Sequence, residues 1–291
     1  MNMRGLCLGL LLMVAFGLVI VPFTHHMNNR PVAVKLGYMP HSIVLKLAFG
    51  DYKQLLAQHS VVRVLFYFGT LIDPDKRNIK DTPEFFHMFS TLQHAVRLDP
   101  YNMDAYYFTQ AAFTWELRKI KEVNDMLDYG MEYRTWDAQL PFYAGMNAAY
   151  FLKDFSAASR YMKIAAERSG DPLYVNLTAR YLYESGQTKV GLAFIKLMEK
   201  NILDPRIKQL YRMRREALHQ VDLIEQALQR YRRDHAKLPA KLESLVEAGY
   251  LDEPPIDPYG GRFYLTPEGF VRSTSKFAMV LDEIPAGTGK R

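Results

Sequence analysis

Residues 83–100 read PEFFHMFSTLQHAVRLDP, and the spacing inside this stretch decides how the chain is organised. Met88, Leu92, Ala95 and Pro100 stand at i, i+4, i+7 and i+12. The first three share one helical face, where small side chains let a second helix approach, and the proline cannot extend the helix. Asp-Pro recurs: from Asp99-Pro100 it is 72 residues to Asp171-Pro172, and 33 more to Asp204-Pro205. Three units of roughly 33 to 36 residues fit between Pro83 and Pro205, the period of stacked helix-turn-helix repeats. Ala158, Met162 and Ala165 repeat the rhythm, as do Gly191, Ile195 and Met198 once Gly186 has ended the preceding helix. Val123, Leu127 and Gly130 are the weakest match.

Working outward, the rest of the chain is bounded by composition. At 291 residues, 49% hydrophobic and 13% aromatic, it can bury a core and is not globally disordered. Its one cysteine, Cys7, excludes a disulfide framework and a cysteine-based zinc site. Gly5 to Phe23 is 19 nearly continuous apolar residues preceded by Arg4. As a helix it covers about 28 Å, close to the hydrocarbon thickness of a bilayer. The run ends Val21-Pro22-Phe23-Thr24-His25-His26, with no small-x-small cleavage site, and Cys7 stands too early for a lipoprotein signal. An uncleaved signal anchor is expected over 1–26, with a short inner terminus and the bulk exported.

From Met39-Pro40-His41, apolar residues at helical intervals (Ile43, Val44, Leu47, Tyr52, Leu55, Leu56, Val61, Val64, Leu65, Phe68) predict juxtamembrane helices that pack on the first repeat or lie at the membrane surface. Lys46, Asp51, Lys53 and Arg63 argue against a second span. Asp73 to Thr82 reads as a surface loop.

The repeats look like a degenerate tetratricopeptide array. With the anchor, Leu45–Tyr52, Val64–Gly69 and Leu98-Asp99-Pro100-Tyr101, the order of parts resembles membrane-anchored tetratricopeptide (TPR) proteins of Gram-negative bacteria. The resemblance implies an inner-membrane, single-pass protein with most of the chain periplasmic, and it carries no catalytic residues. Such arrays present a concave surface to a partner, lined by the first helix of each pair. The expected groove residues are Asp104, Tyr107, Tyr143, Asn147, Tyr150, Asn176, Arg180 and Tyr183. Tyrosines and amides suit an extended peptide, giving aromatic area and hydrogen-bond handles.

Arg206 to Lys241 carries ten Lys/Arg against four Asp/Glu, a net +6 equal to that of the whole chain. Its apolar stripe predicts a capping helix with an outward basic face of Arg212, Arg214, Arg215, Arg230, Arg232 and Arg233. That face could meet anionic lipid or polymer; nucleic acid is not expected. Beyond it, Tyr231 to Pro239, Leu242 to Leu251, the turn Asp257-Pro258-Tyr259-Gly260-Gly261 and Phe263-Tyr264-Leu265 resemble the junction of major pseudopilins of type II secretion, where a long helix passes through a short helix into an antiparallel sheet. Residues 262–266 and 270–273 can pair around Pro267-Glu268-Gly269. The long helix here is not amino-terminal, no prepilin cleavage motif occurs, and Asp282-Glu283 is too sparse for an acidic metal-binding loop.

The expected class is mainly α: an N-terminal transmembrane helix (1–26), a juxtamembrane helical region and loop (27–82), a TPR-like α-solenoid (83–205), a capping helix (206–236), a small helix plus β-hairpin module (237–274) and a tail (275–291). The chain has no His-Glu-x-x-His, Gly-x-Ser-x-Gly or phosphate loop, and its eight histidines are scattered. No enzyme, cofactor or metal is expected, and the leading reading is an envelope scaffold that binds a protein. A module that binds anions through 206–241 and a hydrolase with a site invisible to motifs are the alternatives.

Overall fold

The computed structural model describes residues 3–28, 35–71, 83–200 and 202–277. The expected surface loop at 73–82 and most of the expected tail lie outside these residues. The chain is mainly helical with one two-stranded antiparallel sheet, and it divides into two compact units, 1–105 and 106–291.

The first unit holds α1 (Met3–Asn28), α2 (Ser42–Phe49), a 3₁₀ turn (Gly50–Tyr52), α3 (Lys53–Leu71) and α4 (Phe85–Leu98). Leu11, Leu12, Met13, Val14, Phe16 and Leu18 of α1 are each 55–75% exposed. Among the described residues no helix is long and apolar enough to cross a membrane. The transmembrane helix expected over 5–23 therefore has no support from the structure. Leu45, Ala57, Val61 and Val64 are buried with Met88, Leu92 and Ala95, so α2 and α3 pack on α4. Arg63 Nη2 donates to the Leu36 carbonyl, and the His41 ring meets His94 edge-on at 5.1 Å. Burial pushes the pKa of His94 down, and the nearby His41 and Arg97 lower it further.

The second unit continues through α5 (Met103–Trp115), α6 (Ile120–Tyr133), α7 (Gln139–Asn147), a π turn (Ala148–Leu152), α8 (Phe155–Ser169), α9 (Pro172–Glu184), α10 (Thr188–Lys200) and α11 (Pro205–His235). The starts of α5, α7, α9 and α11 are spaced 36, 33 and 33 residues, and from α6 onward each helix packs on its neighbours in sequence, as in a helical solenoid. The in-phase positions of the second helices are buried, Val123, Leu127 and Gly130 on α6, Ala158, Met162 and Ala165 on α8, Gly191 and Ile195 on α10, except Met198 on α10, which is half-buried. The set that reads as weakest is as closely packed as the others. A Cβ on Gly130 would stand 2.7 Å from Tyr106 Cζ and 2.8 Å from Leu140 Cδ1.

The Asp-Pro pairs do something different from what the spacing alone suggests. Two of the three start helices: Asp171 accepts from Leu173 N and Asp204 from Arg206 N and Ile207 N, with Pro172 and Pro205 in the first turn, whereas Asp99 caps the end of α4 and Pro100 lies in the turn after it. An N-cap carboxylate followed by proline at N1 satisfies one orphan donor and removes another. Gly170, at φ +68°, supplies the stop before Asp171, and Gly186, at φ +75°, follows the end of α9 before α10 begins. At the boundary without Asp-Pro, Asp137 caps Gln139 N and pairs with Arg134 at 2.7 Å, while Arg168 of α8 donates to the carbonyls of Met131, Arg134 and Asp137.

After α11 come α12 (Glu243–Glu247), β1 (Phe263–Leu265) and β2 (Val271–Ser273). Phe263 pairs with Ser273 and Leu265 with Val271. Gly269, at φ +90°, closes the turn by donating to Thr266 O. This module is held to the repeat region. Arg272 donates to the Glu184 carbonyl at 2.9 Å and pairs with its carboxylate at 3.4 Å. Phe277 is buried against Tyr183 with ring centroids 4.7 Å apart.

Candidate functional site

The first helices of successive hairpins bring exposed and half-buried aromatic side chains into a row. Tyr107 on α5 is 59% exposed, and its ring lies 6.5 Å from Tyr143 on α7. Phe142 continues the series to Tyr174 on α9 at 5.2 Å. Two turns beyond Tyr107, Trp115 is 58% exposed and stands 5.7 Å from Tyr150 and 5.0 Å from Phe151. Two cations flank this second cluster: Lys153 Nζ lies 5.3 Å from the Tyr150 ring centroid and Arg118 Cζ 6.0 Å from that of Phe151.

Between the two aromatic clusters a buried amide network ties α5 to α7. Gln110 and Asn147 exchange two hydrogen bonds, at 3.0 and 2.8 Å, and Asn147 Nδ2 also donates to Asn124 Oδ1 at 2.8 Å. Such a network fixes one register between helices, because any slip leaves buried amides unpaired. The Trp115 cluster also sits where the backbone departs from regular helix. The π turn after α7 closes with Asp154 N donating to Ala148 O, and both Lys153 and Arg118 adopt left-handed φ, +55° and +52°. These conformations cost energy in non-glycine residues, and π turns and backbone strain concentrate at functional sites. Exposed Trp, Tyr and Arg are also the residue types that dominate protein-binding hot spots.

Of the expected groove residues, Tyr107, Tyr143 and Tyr150 join this surface. Asp104 is exposed at the start of α5. Asn147 is 1% exposed and committed to the amide network, so it cannot line an open groove. Asn176 turns back to donate to Pro172 O at 2.9 Å, and Arg180 is half-buried. Tyr183, at 1% exposure, is covered by Phe277 and lies under Arg272, whose Cζ is 5.0 Å from its ring. Burial drives its hydroxyl pKa up. Trp115 and Phe151 were not legible as partners of Tyr150, although the eight-residue step from Tyr107 places Trp115 on the same side of α5.

Of the six arginines expected on a basic face, Arg212, Arg230, Arg232 and Arg233 are exposed, Arg215 is half-buried and Arg214 is buried. Arg214 is 6% exposed; its guanidinium stacks 5.1 Å from Tyr259 and donates to Phe277 O at 2.8 Å. Arg212 and Arg215 both pair with Glu199, at 3.1 and 2.9 Å, and Arg230 donates to Tyr250 O at 2.7 Å. Arg232 and Arg233 are exposed near the end of α11. A helix count of charges could not separate these roles, because the partners lie on other segments: Glu199 on α10, Tyr250 20 residues after Arg230, and Phe277 63 residues after Arg214.

A cleft of about 610 Å³ in the C-terminal module is lined by residues including Glu243, Glu247, Asp257 and Arg262. Asp257 is the one buried acid there, and it is engaged in holding the turn: it accepts from the Ser273 hydroxyl, from Ser275 Oγ at 2.6 Å and from Tyr259 N at 2.9 Å. Among the described residues no group of three or more His, Cys, Asp or Glu side chains could hold a metal ion. Comparison with protein-family models, curated proteins and solved structures finds no match to this chain.

Proposed function

We propose that this protein is a non-enzymatic scaffold, a membrane-tethered TPR-like array that holds a protein partner on the aromatic row of α5 and α7. The observation that carries the reading is the exposed pair Trp115 and Tyr150 with the half-buried Phe151, flanked by Arg118 and Lys153 and set on a strained π turn. Aromatic area with cations at the rim suits a peptide segment that carries apolar and acidic side chains. The tether is the apolar run Gly5 to Phe23, and the TPR-like repeat rests on the 36-, 33- and 33-residue spacing of helix starts. The bulk of the chain then lies on the outer side of a bacterial inner membrane. The long helix, short helix and hairpin at the C-terminus form a pseudopilin-like docking module that seals the last repeat.

Co-purification tests this reading. The full chain is isolated from native membranes beside a Trp115→Ala/Tyr150→Ala variant. Both residues are more than half exposed, so the fold and the denaturation midpoint should stay the same. A reproducible partner should be recovered with the parent chain and lost with the variant. Recovery of the same set of proteins by both would remove the aromatic row from the account.

A further inference from the structure

We propose that α2 and the 3₁₀ turn after it form a second, independent membrane contact, lying in the interfacial layer of an anionic bilayer. The inference adds to the tether, and it rests on the reading of 5–23 as the membrane segment.

The basis is a short helix that is mostly apolar and only half covered. Residues 42–49 read SIVLKLAF, and Ser42 and Leu45 are buried toward the core of the first unit. On the other side Ile43 is 62% exposed, Val44 57%, Leu47 83% and Phe49 44%, and beyond the turn Tyr52 is 71% and Leu55 68% exposed. A contiguous exposed apolar face of this kind marks a surface that meets a second apolar neighbour.

Three further observations select a bilayer as the missing neighbour. Seven residue steps separate Asn28, the end of α1, from Lys35, which limits the distance between them to about 25 Å for a fully extended chain. With 5–23 in the membrane, α2 cannot leave its vicinity. Tyr38 and Tyr52 bracket the apolar face, both at least 70% exposed, and aromatic rings with a polar tip belong at the headgroup level. Lys35, Lys46 and Lys53 stand against the single acid Asp51, a charge balance that favours anionic headgroups and lets the lysine ammonium groups reach water.

The test uses the full chain in vesicles of anionic and zwitterionic phospholipid, with Cys7→Ser removing the one native thiol. An environment-sensitive dye is attached in turn through Leu47→Cys, Tyr52→Cys, Val14→Cys and, as a water-exposed reference on α11, Gln209→Cys. The dye at 47 and 52 should shift to the blue, be quenched by lipid-borne doxyl groups, and lose iodide quenching several-fold relative to 209. Adding Ile43→Glu, whose side chain is exposed and carries no core packing, should restore iodide quenching at 47. Iodide quenching at 47 and 52 equal to that at 209 overturns the proposal. So does shielding from iodide without doxyl quenching, which would mean that protein, such as a second copy of the chain, covers α2. Val14 reports on the tether alone: water exposure there overturns the anchor reading, whereas lipid exposure at 14 with water exposure at 47 overturns only the contact proposed for α2.

Discussion

Gly130 gives the sharpest test of how the hairpins pack. In a helix interior, Gly→Ala ordinarily stabilises by about 0.5–1 kcal/mol, because alanine leaves less backbone freedom to lose. At position 130 the new Cβ would stand 2.7 Å from Tyr106 Cζ, 2.8 Å from Tyr106 Cε1 and 2.8 Å from Leu140 Cδ1. Tyr106 and Leu140 are both 0% exposed, so neither can swing into solvent to make room. Forcing a methyl group into a close-packed core costs about 1–3 kcal/mol, which exceeds the propensity gain. The net expectation for Gly130→Ala is a loss of about 1–2 kcal/mol. Gly69 on α3 is the internal control, since a Cβ there meets nothing within 4 Å; Gly69→Ala should gain up to about 1 kcal/mol. Urea denaturation followed by far-UV circular dichroism reads both, as shifts of the midpoint in opposite directions at unchanged slope. A midpoint that rises for Gly130→Ala would mean that α6 does not approach Tyr106 and Leu140 as described.

Three other outcomes follow from particular contacts. Arg214 is buried, and among the described residues its Nε and Nη1 have no hydrogen-bond partner, so Arg214→Met should leave stability within about 1 kcal/mol of the parent or raise it, while Arg214→Ala should lose about 2–4 kcal/mol to the cavity. Thermal or urea midpoints of the two variants check this. Arg272→Ala removes the carbonyl and carboxylate contacts with Glu184 and should cost about 1–3 kcal/mol, with amide exchange rising first in 263–273. For His94 the sign is fixed by linkage: its pKa in the folded chain lies below the ordinary value, so the unfolded chain binds the proton more readily. Stability is full above about pH 6.5, the unfolded value, and falls as the pH drops toward the depressed folded value. His94→Gln should flatten that acid limb, read from midpoints between pH 7.5 and 5.

Sequence periodicity carries the repeat region because its signal is local. Spacings of four and three residues place Ala158, Met162 and Ala165 on one face whatever the rest of the chain does, and all three are buried. The hairpin around Pro267-Glu268-Gly269 was legible for the same reason, since turn chemistry sits in adjacent residues. Side-chain fate was less legible wherever a distant segment decides it. Arg214 reads as one more basic residue on a charged helix until Phe277 and Tyr259 cover it. Tyr183 reads as a groove tyrosine until the hairpin module seals the last repeat. Asn147 belongs to the right helix, but Gln110, 37 residues earlier, draws it inward. The Asp-Pro pairs were visible as punctuation, yet only the cap geometry distinguishes a helix start from a stop.

Site-specific photocrosslinking tests the central claim most directly. A benzophenone side chain replaces Tyr107, Tyr150 or, as a reference on α11, the exposed Leu223 in the full chain, and native membranes are irradiated. The account predicts the same protein adduct from 107 and 150, none from 223, and loss of the 150 adduct when Trp115→Ala is added. Equal adducts from all three positions, or none from 107 and 150 when 223 reacts, would contradict it.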